Sequence, residues 1–260
     1  MRLHLIIASL VALVVVSLAP RPAAAIRGGR PAAAGEGTAA VYFTVHGAGG
    51  YSGGCSGVLV TPRRVLTAAH CVRHRSGRRL RVRWARVGNP RGKVVRARVA
   101  AVHVHPRFKP KQPSRGYDFA VLLLKKPVAG IAPLPMAAPS DDPRRQGNKV
   151  FVYGFGLTRH GRVVVSSRSR LRVAKLEYLS PFACFSGPVK RMAKTRMCIA
   201  NPRAGVCPGD SGSGATRRVG NKDVVIGIVS VVLDSGQCHR GPTIIGRVSV
   251  VAAWARSVGG

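Results

Sequence analysis

Acidic residues are scarce in this chain: 8 Asp and Glu stand against 43 Lys and Arg, a formal net charge of +35. So few carboxylates argue against a calcium site, which needs a shell of about 6–8 oxygen ligands. The 6 cysteines include no Cys-x-x-Cys pair and do not cluster with histidines at ligand spacing, which argues against zinc. Aromatics make up 5% of the residues, with no interleaved stacking platform and no recognition-helix pattern, so specific nucleic-acid binding is not expected. Beyond residue 25 the valine-rich stretches are of strand length and broken by Gly or charge, so none reads as transmembrane. No cofactor or metal is expected.

The first 25 residues read as a secretory signal, followed by one domain over 26–260. Met1-Arg2-Leu3-His4 is a short basic start, Leu5 to Leu18 is apolar apart from Ser9 and Ser17, and Ala23-Ala24-Ala25 supplies a small-residue cleavage site. As a helix the apolar run spans only about 21 Å, short of a hydrocarbon core of about 30 Å. The cysteines suit an exported, oxidised domain, and spacing alone leaves all of about 15 pairings open. The basic surface should attract polyanions, and the expected form of this is nonspecific adhesion to polyanions or an anionic cell surface. Arg, Ala, Gly, Val and Pro dominate, as in the product of a GC-rich genome, which is a compositional explanation of the same charge. The chain is read as a monomer.

Short β-rich segments fall in two sets. Val41–Val45, Ser56–Val60, Arg64–Thr67, Arg81–Val87, Val94–His103 and Phe119–Leu124 form the first. Lys149–Gly154, Leu171–Leu179, Thr195–Ile199, Gly214–Thr216, Val224–Val231 and Thr243–Arg247 form the second. Between them residues 126–147 carry five prolines without periodicity and read as an ordered crossing linker. Arg162–Arg170 reads as a surface loop, and Val248 to Ser257 as one amphipathic helix. Spacing alone predicts an all-β sandwich or barrel.

The run Gly209-Asp210-Ser211-Gly212-Ser213-Gly214 puts a serine on a glycine-flanked turn. Such a run is ordinary turn chemistry by itself. A serine hydroxyl becomes a useful nucleophile only when a base takes its proton. Thr67-Ala68-Ala69-His70-Cys71 supplies a histidine, and Tyr117-Asp118-Phe119 a carboxylate at the head of an apolar strand, where it can fix the imidazole tautomer. A lone histidine or a pre-strand aspartate is usually structural; the order His…Asp…Ser is much harder to dismiss.

At these residues the chain resembles the trypsin/chymotrypsin-like serine proteases. The resemblance extends to Ile26-Arg27-Gly28-Gly29, Cys55-Ser56-Gly57, Tyr153-Gly154-Phe155-Gly156, Met197-Cys198 and Gly227-Ile228-Val229-Ser230, and spans roughly residues 26 to 256. The chain departs from the family at Ser213-Gly214, Val231-Val232 and Phe155, none of which removes a catalytic group. The resemblance implies two packed six-stranded antiparallel barrels with a short C-terminal helix: a first barrel over about 26–125, the linker, a second over about 148–247 and the helix at about 248–257. It implies His70 as general base, Asp118 as its orienter and Ser211 as nucleophile, with the N–H groups of Gly209 and Ser211 as oxyanion hole. It pairs Cys55 with Cys71, Cys184 with Cys198 and Cys207 with Cys238, each bond worth about 2–4 kcal/mol.

The resemblance further implies that an amino terminus freed at Ile26 pairs with Asp210. Cleavage after Ala25 would itself expose Ile26, so no separate propeptide is expected. By alignment the pocket floor is Gly205 followed by Val206, without the aspartate of trypsin-like members. Its walls are Val232 and Thr243, and Ser230 is expected to support Asp118. The function implied is a secreted serine endopeptidase cleaving protein or peptide substrates after small or medium aliphatic residues. Three alternatives stay open: a catalytically weak cationic polyanion-binding or antimicrobial protein on the same fold, cleavage after Arg or Lys with Asp234 as an acidic rim, and esterase activity on the same triad.

Overall fold

A computed structural model of the protein describes residues 26–156, 171–233 and 241–259. The segments 1–25 and Arg162–Arg170, together with Asp234 and Cys238, lie outside the described residues. Six strands form the first half: β2 (Ala40–His46), β3 (Ser52–Thr61), β4 (Arg64–Thr67), β5 (Trp84–Gly88), β6 (Val94–Val104) and β7 (Ala120–Leu124), after a two-residue β1 (Arg30–Pro31). They close into a barrel in the order β2-β3-β4-β7-β6-β5. The second half holds β8 (Lys149–Gly154), β9 (Arg172–Leu179), β10 (Arg196–Ala200), β11 (Gly214–Val219), β12 (Lys222–Val232) and β13 (Thr243–Arg247). Their order β9-β10-β13-β12-β11-β8, closed by β8–β9 pairing, makes a second antiparallel barrel, with β1 added at the edge of β9.

The central part of β12 is buried without alternation, and the reason is its position between the barrels. Val224, Ile226 and Val229 enter the core of the second barrel, while Val225 and Ile228 pack into the core of the first. A strand with both faces covered reads as a continuous apolar run. The proline-rich linker is held in the same seam: Leu134 N–H donates to Leu59, and Ala137 N–H and the Pro135 carbonyl bond to Val225.

The expected single helix over Val248–Ser257 is instead a 3-10 turn, Val248–Val250, followed by α2 (Ala252–Ser257) after a bend at Val251. Val248, Val251 and Ala255 are buried in the core of the first barrel, and the bend lets all three reach it. A five-residue helix, α1 (Val189–Ala193), was not expected from the sequence; its apolar residues are too few to show a period. The strand expected over Arg81–Val87 starts at Trp84, because Arg81 is engaged in an isolated bridge to His46.

Candidate active site

His70 lies in the 3-10 turn Ala69–Cys71 at the end of β4, pinned to β3 by the Cys55–Cys71 disulfide. Asp118 immediately precedes the buried run into β7, and Tyr117 before it turns the chain with a φ of +56°. The Asp118 carboxylate is only 2% exposed and accepts three hydrogen bonds. The His70 backbone N–H donates to Oδ1 at 2.9 Å, the His70 ring lies 2.7 Å from Oδ2 through Nδ1, and the Ser230 hydroxyl donates to Oδ2 at 2.6 Å. A carboxylate can only accept, so Nδ1 carries the imidazole proton and Nε2 keeps its lone pair.

The His70 side chain remains 26% exposed. Burial works to lower its pKa, but the adjacent Asp118 charge and hydrogen bond outweigh it, and the net shift is upward.

Ser211 sits in the turn between β10 and β11, and this turn is seated on the first barrel. Ser56 N–H donates to the Ser211 carbonyl at 2.8 Å, and the Ser56 hydroxyl donates to the Gly209 carbonyl at 2.8 Å. Thr67 in turn holds the Ser56 carbonyl at 2.7 Å. Gly212 has a φ of +85°, and a Cβ there would stand 2.1 Å from Thr67 Oγ1 and 2.2 Å from the Ser56 carbonyl. Only glycine combines that backbone with that approach. The Cys71 sulfur lies 3.5 Å from the Ser211 carbonyl and 3.9 Å from His70 Nε2, so one disulfide sulfur stands beside both the histidine and the serine turn. Among the described residues neither Gly209 N–H nor Ser211 N–H donates to a protein acceptor.

Asp210 points away from this cleft into the second barrel and is fully buried. Its carboxylate accepts from Gly156 N–H and Cys207 N–H, each at 2.8 Å, and from Ile26 N–H. Burial pushes its pKa up to about 7 against these three donors.

The expected pocket residues lie along the second barrel. Thr243 and Val232 face each other across β12–β13, and Thr243 is buried. Gly205 N–H is taken by the Arg27 carbonyl, and Val206 packs in the second core. The Cys184–Cys198 disulfide is present; Cys207 is buried, and its expected partner Cys238 lies outside the described residues. Two roles escaped sequence reasoning, those of the Ser56 hydroxyl and of Thr67. Ser56 and Gly209 are 153 positions apart, so no local pattern marks the pair.

Similarity to known proteins agrees with this geometry. The trypsin family profile matches residues 26–255. The chain is 27% identical over 211 residues to chymotrypsin-like elastase family member 1 of Felis catus, covering 78% of each chain. It is 29% identical over 227 residues to scolexin B of Heliothis virescens, covering 80% of this chain and 76% of that one. Over 178 residues it is 29% identical to a trypsin of Saccharopolyspora erythraea, with 68% of this chain and 74% of that one covered. Two closed barrels and a family match over nearly all of the described chain lead to one conclusion: the protein belongs to the trypsin family of serine proteases.

Proposed function

We propose that the protein is a secreted serine endopeptidase that works through an acyl-enzyme on Ser211. The observation that carries this reading is the Asp118 carboxylate, which receives His70 Nδ1 and the Ser230 hydroxyl and so leaves the lone pair of a neutral His70 on Nε2. In the reaction Ser211 Oγ attacks the scissile carbonyl carbon as its proton passes to His70 Nε2. The oxygen that gains charge is held by Gly209 and Ser211 N–H. As the C–N bond breaks, His70 returns the proton to the leaving amine. Water then attacks the acyl-enzyme with His70 again as base, which releases the acid and restores Ser211.

Cleavage after Ala25 frees Ile26, whose ammonium pairs with Asp210. Two features support this step. Ile26 holds a φ of +50°, which a β-branched residue avoids, and Asp210 is buried without a cationic partner among the described residues. The mature chain acts outside the cell as a monomer, and its positive surface adheres to polyanions.

Preference for small or medium aliphatic residues rests on Gly205, which offers no charge partner for Arg or Lys, and on the branched side chains of Val232 and Thr243. Similar proteins named as elastases favour the same reading. A serine-directed fluorophosphonate should label the protein and fail to label Ser211→Ala. Chromogenic peptides ending in Ala, Val, Phe and Arg test the preference, and strong cleavage after Arg would overturn it.

A further inference from the structure

Away from the catalytic residues, a groove of about 930 Å³ runs between the segment after the histidine turn, β6 and α2. His70, Asp118 and Ser211 take no part in its lining. Val82, Val99 and Val102 line it together with Arg79, Arg81, Arg83 and Arg98. These four arginines are exposed, and none is ion-paired to a carboxylate among the described residues. The chain has no acid at all between Glu36 and Asp118, a stretch holding 17 Arg and Lys. Over residues 73–98 alone there are 10 arginines and one lysine. A compositional bias alone would scatter such charge, whereas here β5, β6 and the preceding loop converge on one concavity.

The second observation is aromatic. The protein has 2 tryptophans, and both Trp84 of β5 and Trp254 of α2 line this same groove. Trp84 is 39% exposed on β5, directly across from Arg98 of β6, and the Arg96 guanidinium stacks over its ring at 4.1 Å. Under Arg96 the indole still keeps exposed surface beside arginines that have no carboxylate partner among the described residues. In the sequence Trp84 stands among Arg81, Arg83 and Arg86, and the pairing of β5 with β6 adds Arg96 and Arg98 beside it.

We propose that the groove binds single-stranded polynucleotide without sequence preference. Guanidinium forks suit phosphate oxygens better than ammonium groups do. A nucleobase has the flat π-face that stacks on an indole already capped by an arginine. A flexible single strand can follow a groove made of strand and loop, whereas a duplex would need an element that enters its major groove. A sulfated polysaccharide satisfies the arginines but offers no base to Trp84.

The test is fluorescence anisotropy of a labelled oligothymidine with the purified protein, carried out also with Ser211→Ala to exclude cleavage of the protein itself. Binding should weaken steeply as salt rises. At fixed salt Trp84→Ala should weaken it about tenfold, the scale of one lost base stack, and Trp84→Phe should restore most of that. An abasic strand of equal length should bind wild type as weakly as oligothymidine binds Trp84→Ala. Arg79→Glu with Arg98→Glu should weaken binding by at least about a hundredfold, as for the loss of several phosphate contacts. Lys190→Glu with Arg191→Glu, the same charge change on exposed α1, should alter it less than about threefold, as for distant screened charges. Unchanged unfolding temperatures exclude misfolding of the variants. Equal losses from the two double variants would mean diffuse surface charge and overturn the proposal. So would a heparin fragment that binds as tightly as oligothymidine while Trp84→Ala has no effect.

Discussion

The Ser56 hydroxyl donates to the Gly209 carbonyl at 2.8 Å, a buried hydrogen bond from β3 of the first barrel to the turn that carries the nucleophile. With the Ser56 N–H on the Ser211 carbonyl, one residue holds two points of that turn. The barrel that supplies His70 therefore also holds the backbone on both sides of Asp210, where the proposed oxyanion donors lie.

Ser56→Ala leaves the Gly209 carbonyl without this donor, at a cost of about 1–3 kcal/mol if it stays dry. The expected result is a fall in kcat of about tenfold with KM little changed, because the donors matter most when the oxyanion forms. Steady-state kinetics on one chromogenic peptide checks it. A change confined to KM would contradict a positioning role.

The upward shift of His70 fixes the sign of the acid limb. The base must be neutral, so activity is lost as pH falls through a pKa above the ordinary histidine value. Asp118→Asn removes the charge that raises it, so the limb should move to lower pH while kcat falls by about 10⁴-fold. A pH profile of kcat/KM for both proteins tests the pair of effects.

Asp210 gives a separate stability signature. Its pKa, pushed up to about 7, lies above the unfolded value, so it binds its proton more tightly in the folded chain. A chain extended before Ile26 should therefore lose thermal stability as pH rises from the ordinary aspartate range toward 7. A chain beginning at Ile26 should lose less, since its ammonium favours the carboxylate. Asp210→Asn should remove most of the difference between the two. Thermal unfolding from pH 4 to pH 8 reads both slopes.

Phe119, fully buried beside Asp118, fills the space left by Gly246 on β13, where a Cβ would stand 2.5 Å from the ring. Phe119→Ala should destabilise the protein by about 3–5 kcal/mol. Gly246→Ala should also destabilise it by overpacking, by about 1–3 kcal/mol. Denaturant unfolding measures both, and a neutral Gly246→Ala would show that the barrels separate slightly to admit a methyl group.

Much of the architecture was legible. Arg64–Thr67, Lys149–Gly154 and Thr243–Arg247 match their expected bounds, because turn residues flank short apolar runs there. β3 extends to Ser52, further than its Gly-rich start suggested, because full pairing with β2 overrides the weak strand preference of glycine. The terminal helix broke at Val251 because burial of three side chains on the first barrel outweighed an unbroken helical period.

By itself the sequence determined the chemical supply: a histidine, an aspartate at the head of an apolar strand and a glycine-flanked serine in family order, set in strand-length segments with a great excess of arginine. Tertiary structure alone decided that the Ser56 hydroxyl would hold the nucleophile's turn, that β12 would serve two cores, and that both tryptophans would meet the arginines in one groove. The physical reason is range. Periodicity and turn chemistry act over a few neighbouring residues, whereas hydrogen bonds and packing between barrels join positions that only the closed sheets bring into contact.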